Sequence, residues 1–399
     1  MKIIFTSIQH VEGEFNGVAC HIKDLKEELI SKGHSVKLIN PYLEPTEYSK
    51  LFTLARRFFY LLRKKTGISF FYLLVLLCIK LDVYQRVRRF IDESGKCDLI
   101  NAHDVLTAGA ALWASDGRVP VTLTCHFWKS PWDEFLGENF INSNFLSYKL
   151  LKMLIRNTFK SHKLKFTCVS IRNIRLLSKI TSVSVAKARS KVIYLGVRPN
   201  ERLPLNTALK YGLKIGKYVV NVGKLEERKN QRYFVNLVEE CRKLNPEIKF
   251  VFVGPEEKKE KEFMLSKIAE KGLEENFVFL GEQSRDNVYS LMRDSLIYFH
   301  SSTNESFGMV LIEAMSVRTP VCSLRYEAID ELLPETPEMV FETNDSLQKI
   351  SEIIKKVKED EIFRGNIVEK QKETFDNHFT LSAMTKMYET YYKHLRFIN

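Results

Sequence analysis

Residues 295–324 read "SLIYFHSSTNESFGMVLIEAMSVRTPVCSL" and set the architecture. SLIYFHSS is an apolar run of strand length, FGMVLIEAMSV an apolar segment of helical length, and TPVCSL a second strand, with Thr303 to Ser306 as the first connection. Two short buried strands joined through a helix make a parallel pair, and parallel sheets need helices on both faces. The same alternation runs outward. Upstream lie KYVVNVGKL, KFVFVGP and NFVFLGE, and before them KIIFTSI, VKLI, DLINAHD, VPVTLTCHF and FTCVSI, with helical segments between. GVACHIKDLKEELISKGHSV is the first such helix, with Gly33 as its stop, and 381–395 (LSAMTKMYETYYKHL) is a last amphipathic one. Periodicity lapses in VIYLGVRPNERLPLN (192–206), where Gly and Pro enter. A chain of 399 residues exceeds what one core organises, so an α/β protein of two domains, each on its own parallel sheet, is expected.

Composition agrees with a folded chain: 45% hydrophobic and 28% charged, without low-complexity runs. MKIIFTSIQH breaks its apolar run at Thr6 and reads as a first strand rather than a secretion signal. The seven cysteines, at 20, 78, 97, 125, 168, 241 and 322, are odd in number, scattered and free of C-x-x-C pairs. That spacing fits neither a disulfide framework nor structural zinc, and a cytoplasmic location is expected.

The net charge of +12 is unevenly spread. Residues 1–200 carry 31 Lys/Arg against 16 Asp/Glu, and residues 201–399 carry 30 against 33. Much of the excess sits at 54–90 and 145–165, where basic residues alternate with aromatic and aliphatic ones. Neither segment has the roughly 20 apolar residues needed to cross a bilayer. Three readings stay open: basic amphipathic faces lying on an anionic membrane, core helices with solvated basic faces, or a surface for a nucleic acid or other polyanion. No nucleic-acid-binding motif accompanies the charge, and no nucleic-acid partner is expected.

Ligands of open parallel sheets gather at the carboxyl ends of strands, so the loops there hold the candidates. After the first strand, Gly13 and Gly17 precede a helix N-terminus, as a ligand-approaching loop or a plain turn. His126 ends VPVTLTCHF, as a catalyst or a satisfied interior residue. Gly223 ends a strand, and Lys224 and Lys229 follow it, suited to a diphosphate or to solvent. Ser302 and Glu305 have capping-box spacing, with Ser302 as the expected helix cap. Glu313 is the lone carboxylate between Phe307 and Val317, and a buried carboxylate needs a partner. Arg318 or Arg325 would serve, and so would a ligand hydroxyl.

Glu305 and Glu313 with seven residues between them, followed by AM and TPV, resemble the E-x7-E signature of retaining glycosyltransferases of family GT4. NGVACHIKDLKEELISKGHSV, INAHD, TLTCH, VGKLEERKN and the last helix resemble the family's other landmarks, in order, along most of the chain. The resemblance implies a GT-B fold of two Rossmann-like domains facing a central cleft: an acceptor-binding domain of residues 1–198 with 379–399, and a donor-binding domain of 199–378. It implies His126, Glu305 and Lys229 in catalysis, with His126 lining the reaction centre. Donor contacts would come from Gly17, Gly223, Lys224, Lys229, Glu305, Ser306, Phe307, Gly308, Met309 and Glu313. Of these, Glu313 would take the ribose, Glu305 the transferred sugar, and the amides of 307–309 the diphosphate. The implied co-substrate is a UDP- or GDP-sugar, with no metal and no other cofactor. The implied acceptor is a lipid-linked or surface glycan at the cytoplasmic membrane face, and its binding residues are not legible. The chain departs from the family pattern after TPV, where Glu327 and Ala328 stand in place of two glycines, and a non-catalytic binding module of the same fold stays open as the alternative.

Overall fold

The computed structural model describes residues 1–9, 16–43, 49–137, 146–199 and 203–398. Gly13 lies outside them. The chain forms two compact units, Met1–Tyr194 with Met384–Asn399, and Leu195–Ala383.

The first unit holds a six-stranded, all-parallel sheet in the order β2-β1-β3-β4-β5-β6. Its strands are β1 (Lys2–Thr6), β2 (Ser35–Ile39), β3 (Leu99–Ala102), β4 (Val121–Cys125), β5 (Leu164–Cys168) and β6 (Ser190–Val192). Every residue of β3 and β4 is buried, as strands covered on both faces must be. The core packs Ile4, Ile100, Val121, Leu123 and Phe166 from the sheet against helical Leu76, Val83, Ala110 and Leu151. Helix Gly17–Ser31 opens on Asn16, whose side chain accepts from Ala19 N at 2.8 Å, and Gly33 follows it at φ 82°.

The second unit has its own parallel sheet, ordered β12-β11-β10-β7-β8-β9. These are β7 (Tyr218–Val222), β8 (Lys249–Val253), β9 (Phe277–Phe279), β10 (Ile297–His300), β11 (Val321–Leu324) and β12 (Val340–Phe341). The stretch that set the expectation is β10, helix Met309–Ser316 and β11, with Tyr298 in register with Val321. Phe234, Phe250, Phe252 and Phe299 meet at ring-centroid distances of 5.3 to 5.7 Å in its core. The strands that sequence patterning missed, β6 and β12, are three and two residues long and sit at sheet edges. All seven cysteines are free. Among the described residues, no helix is long and apolar enough to cross a membrane.

Candidate active site

In the second sheet the winding reverses between β7 and β10, which lie side by side. The crevice beyond the carboxyl ends of two such strands is where a doubly wound sheet takes its ligand. β7 leaves through Gly223, and a Cβ on Gly254 at the neighbouring strand end would come within 2.3 Å of Gly223 O, so β7 and β8 can approach this closely only with glycine. The loop after Gly223 is stitched to the end of β10. Ser301 Oγ donates to Lys229 O at 2.7 Å, Asn230 Nδ2 to Ser301 O at 3.2 Å, and Gln231 Nε2 to Lys224 O at 2.9 Å. Asn230 takes a left-handed φ of 55°, ending the short helical turn Glu227–Lys229.

That turn aims Lys229 back at β10. Its Nζ lies 2.6 Å from Glu305 Oε1, and Arg228 Nη1 stands 3.5 Å from Oε2. Burial alone would raise the Glu305 carboxyl, but Lys229, His300 and Arg228 outweigh it and hold the pKa at about 2. The pair is largely shielded, the Lys229 and Glu305 side chains being 18% and 12% exposed. His300 is buried beside them with its pKa lowered to about 4, by burial first. The Tyr298 hydroxyl, kept protonated chiefly by burial, is hydrogen-bonded to His300 Nδ1 at 3.0 Å. With that hydroxyl donating, the neutral ring carries its proton on Nε2, a buried atom without a hydrogen-bond partner among the described residues, 3.8 Å from Glu305 Oε1. An unmet donor beside an ion pair at a strand-end crevice is the mark of a site awaiting a ligand.

The helix begins later than its pattern suggested. Its cap is Gly308, at φ 115°, and its first residue Met309. A Cβ at 308 would fall 2.5 Å from the Tyr326 hydroxyl and 2.7 Å from Leu311 Cδ1, so glycine is required by space as well as by φ. Tyr326 donates to Phe307 O at 2.6 Å and fixes the loop from beneath. The expected capping box is absent: Ser302 Oγ donates to Arg228 O at 3.4 Å, and Glu305 is held by Lys229. The carboxylate pairs with a cation because that gains more than a backbone amide could give. Ser306 is half-buried, and Phe307 is fully buried with its ring against Phe379 at 5.7 Å.

Glu313 sits half-buried in that helix, and the guanidinium that approaches it is neither of the two expected. Arg285 Nη2 lies 3.7 Å from Oε1, while Arg318 pairs with Glu369, and Arg325 with Asp330 and Glu342. Arg285 comes from the preceding helix, Arg285–Arg293, a contact that spacing within the stretch could not show. Lys224 is more exposed than Lys229 and pairs with Glu226 at 3.3 Å. Reasoning from sequence therefore missed Arg228, Arg285, His300 and Tyr326. The strand-end position of His300 was the available signal.

Gly17 and His126 belong to the first unit, Gly17 as the first residue of its helix and His126 just past β4. His126 has company there. His103 Nδ1 lies 3.4 Å from His126 Nε2, and His21 stacks edge-on to both, at 5.5 and 5.1 Å between centroids. Burial first, then neighbouring imidazoles, pushes His21 and His103 well below the usual range, and burial takes His126 to about 3. Asn101 Nδ2 lies 3.4 Å from His103 Nε2 and donates to Tyr392 at 2.7 Å. One ligand nitrogen from each histidine lies within 4.8 Å of the others, a set that could hold a transition-metal ion. With no carboxylate among them, the three suit a diphosphate-bridging magnesium poorly.

Comparison with known proteins follows the same division. The model of Glycosyltransferase Family 4 matches residues 15–201, and that of Glycosyl transferases group 1 matches 211–374. The chain is 31% identical over 121 residues to N-acetyl-alpha-D-glucosaminyl L-malate synthase of Bacillus anthracis, a match spanning 30% of this chain and 31% of that one. It is 23% identical to the uncharacterized glycosyltransferase MJ1178 of Methanocaldococcus jannaschii over 98% of both. Its fold matches that of Alr3699/HepE of Anabaena, solved in complex with UDP, with a TM-score of 0.71, 18% identity and coverage of 99% and 100%. A sheet switch point with its ion pair, two family models that together take in most of the sequence, and a shared GT-B fold place the chain in glycosyltransferase family 4, among the group 1 glycosyl transferases.

Proposed function

We propose that the protein moves a sugar, with retention of configuration, from a UDP- or GDP-sugar to a lipid-linked or surface-glycan acceptor, without a metal ion on the diphosphate. The observation that carries this reading is the Lys229–Glu305 pair at the β7/β10 switch point. Departure of a nucleoside diphosphate builds negative charge, and fixed cations and helix-start amides stabilise it where it develops. Lys229, with Lys224 and Arg228 beside it, supplies the cations; Gly308 and Met309 supply amides at the helix start. Glu305 accepts from hydroxyls of the transferred sugar, and Glu313 from the ribose. His126 keeps the catalytic role that the family pattern implies. UDP in the Anabaena relative supports the uridine form of the donor.

The test is thermal stabilisation by a panel of nucleotide sugars, because a ligand that binds only the native state raises its melting temperature. One UDP- or GDP-sugar should raise it in the native chain and fail to do so in Lys229→Ala. A panel without any shift, or a shift that Lys229→Ala retains, removes the assignment.

A further inference from the structure

Helix Lys50–Thr66 buries none of its residues, yet it is rich in large apolar side chains. They are not scattered. Phe52, Phe59 and Leu62 are half-buried, Phe59 packs against the first unit's core, and the helix lies on helix Ser69–Ser94. Leu51, Leu54, Phe58 and Leu61 recur at alternating steps of three and four, which aligns them as one stripe turned away from Phe52 and Phe59. They are 71%, 62%, 58% and 63% exposed. Single exposed apolar residues are ordinary; four in a line mark a surface that meets something.

The charges identify what it meets. The helix holds six Lys/Arg and no Asp or Glu, and Arg57, Lys64 and Lys65 are exposed along the stripe. A second helix, Leu146–Lys160, repeats the combination: exposed Leu146 and Met153 lie beside Lys149, Lys152, Arg156 and Lys160, and it too packs on Ser69–Ser94. A two-fold contact between copies through the stripe would set like charges against each other. An anionic bilayer accepts both halves of the face at once, taking the apolar side chains below the headgroups and pairing the cations with lipid phosphates.

We propose that the exposed face of helix Lys50–Thr66 docks on the surface of an anionic lipid bilayer, lying in its plane. The inference deepens the acceptor half of the proposed function and rests on it only for purpose. A lipid-linked acceptor is confined to a membrane, and docking would bring the enzyme to it.

The experiment is co-sedimentation of the full chain with vesicles of phosphatidylcholine alone or mixed with phosphatidylglycerol, without any nucleotide sugar. Binding to the mixed vesicles should be at least about tenfold tighter than to neutral ones and should weaken as salt rises. The triple variant Leu54→Ser/Phe58→Ser/Leu61→Ser should lose at least about tenfold in affinity, with its far-UV spectrum and melting temperature kept, since all three side chains are well exposed. Equal binding by that variant, or none by the native chain, overturns the proposal. So does light scattering in which the variant merely turns a dimer into a monomer, which would make the face a contact between copies. Donor-induced stabilisation, read on the same preparation, reports the catalytic reading separately.

Discussion

Lys229 and Glu305 show how one contact can look structural and be functional. With both side chains shielded, removing the lysine leaves the Glu305 carboxylate to the longer contact with the more exposed Arg228, so Lys229→Ala should cost about 2–4 kcal/mol of stability. The double variant Lys229→Ala/Glu305→Gln removes that charge and should recover most of that loss in urea unfolding. It should not recover turnover, which falls by about 10²–10³ once the cation facing the leaving diphosphate is gone. Recovery of both together would make the pair a mere brace. Glu313 separates the other way. Glu313→Gln keeps the shape and gives up the charge, so donor KM should rise about tenfold with a smaller change in kcat, as expected for a group that holds the ribose in ground and transition state alike. Unchanged donor kinetics in Glu313→Gln would leave Arg285 as that carboxylate's whole reason for being there.

At the scale of the element, the loop between β10 and its helix is held by glycine and tyrosine together. Gly308→Ala forces a Cβ into the Tyr326 hydroxyl and Leu311 at a φ that side chains avoid, and should cost about 2–3 kcal/mol in unfolding experiments and weaken donor binding with it. Tyr326→Phe in that background frees one clash but leaves the backbone strain, so only part should return. This element also shows what a sequence can disclose. β10, the helix and β11 were legible because buried parallel strands are short continuous apolar runs, and the E-x7-E spacing survived without any structure. The cap was misread because a capping box is a local pattern, whereas the cation that claims Glu305 comes from 76 residues upstream. Arg285 escaped for the same reason, and so did the gathering of His21, His103 and His126 from a helix and two strand ends. Residue spacing carries periodic burial well, but carries poorly the contacts that a doubly wound sheet makes between distant strand ends.

Over the whole molecule, the two units differ in what acid does to them. The proposed chemistry needs no metal, so exhaustive chelation should leave turnover unchanged, and a loss restored by zinc would bring the three histidines into the reaction. The same histidines set the response to pH. His21, His103 and His126 in the first unit are neutral when folded, with pKa values below the ordinary one near 6.5, whereas the second unit holds His300, lowered to about 4. The unfolded chain takes up those protons as pH falls below about 6.5 and the folded chain does not, so each group withdraws about 1.4 kcal/mol of stability per pH unit until its folded pKa is reached. Glu305 has a lowered pKa as well, but its contribution is lost only below the ordinary carboxylate value near 4.5, down to about 2. Between these limits the first unit, with three such groups against one, should give way first. Trp113, Trp128 and Trp132 all lie in that unit. Acidification towards about pH 5 should therefore red-shift tryptophan emission before the far-UV ellipticity of the second unit is lost. His103→Asn should move the fluorescence midpoint to lower pH and leave the later transition in place. Coincident transitions that the substitution does not separate would show that the two cores unfold as one, and that these imidazoles do not govern the acid limit.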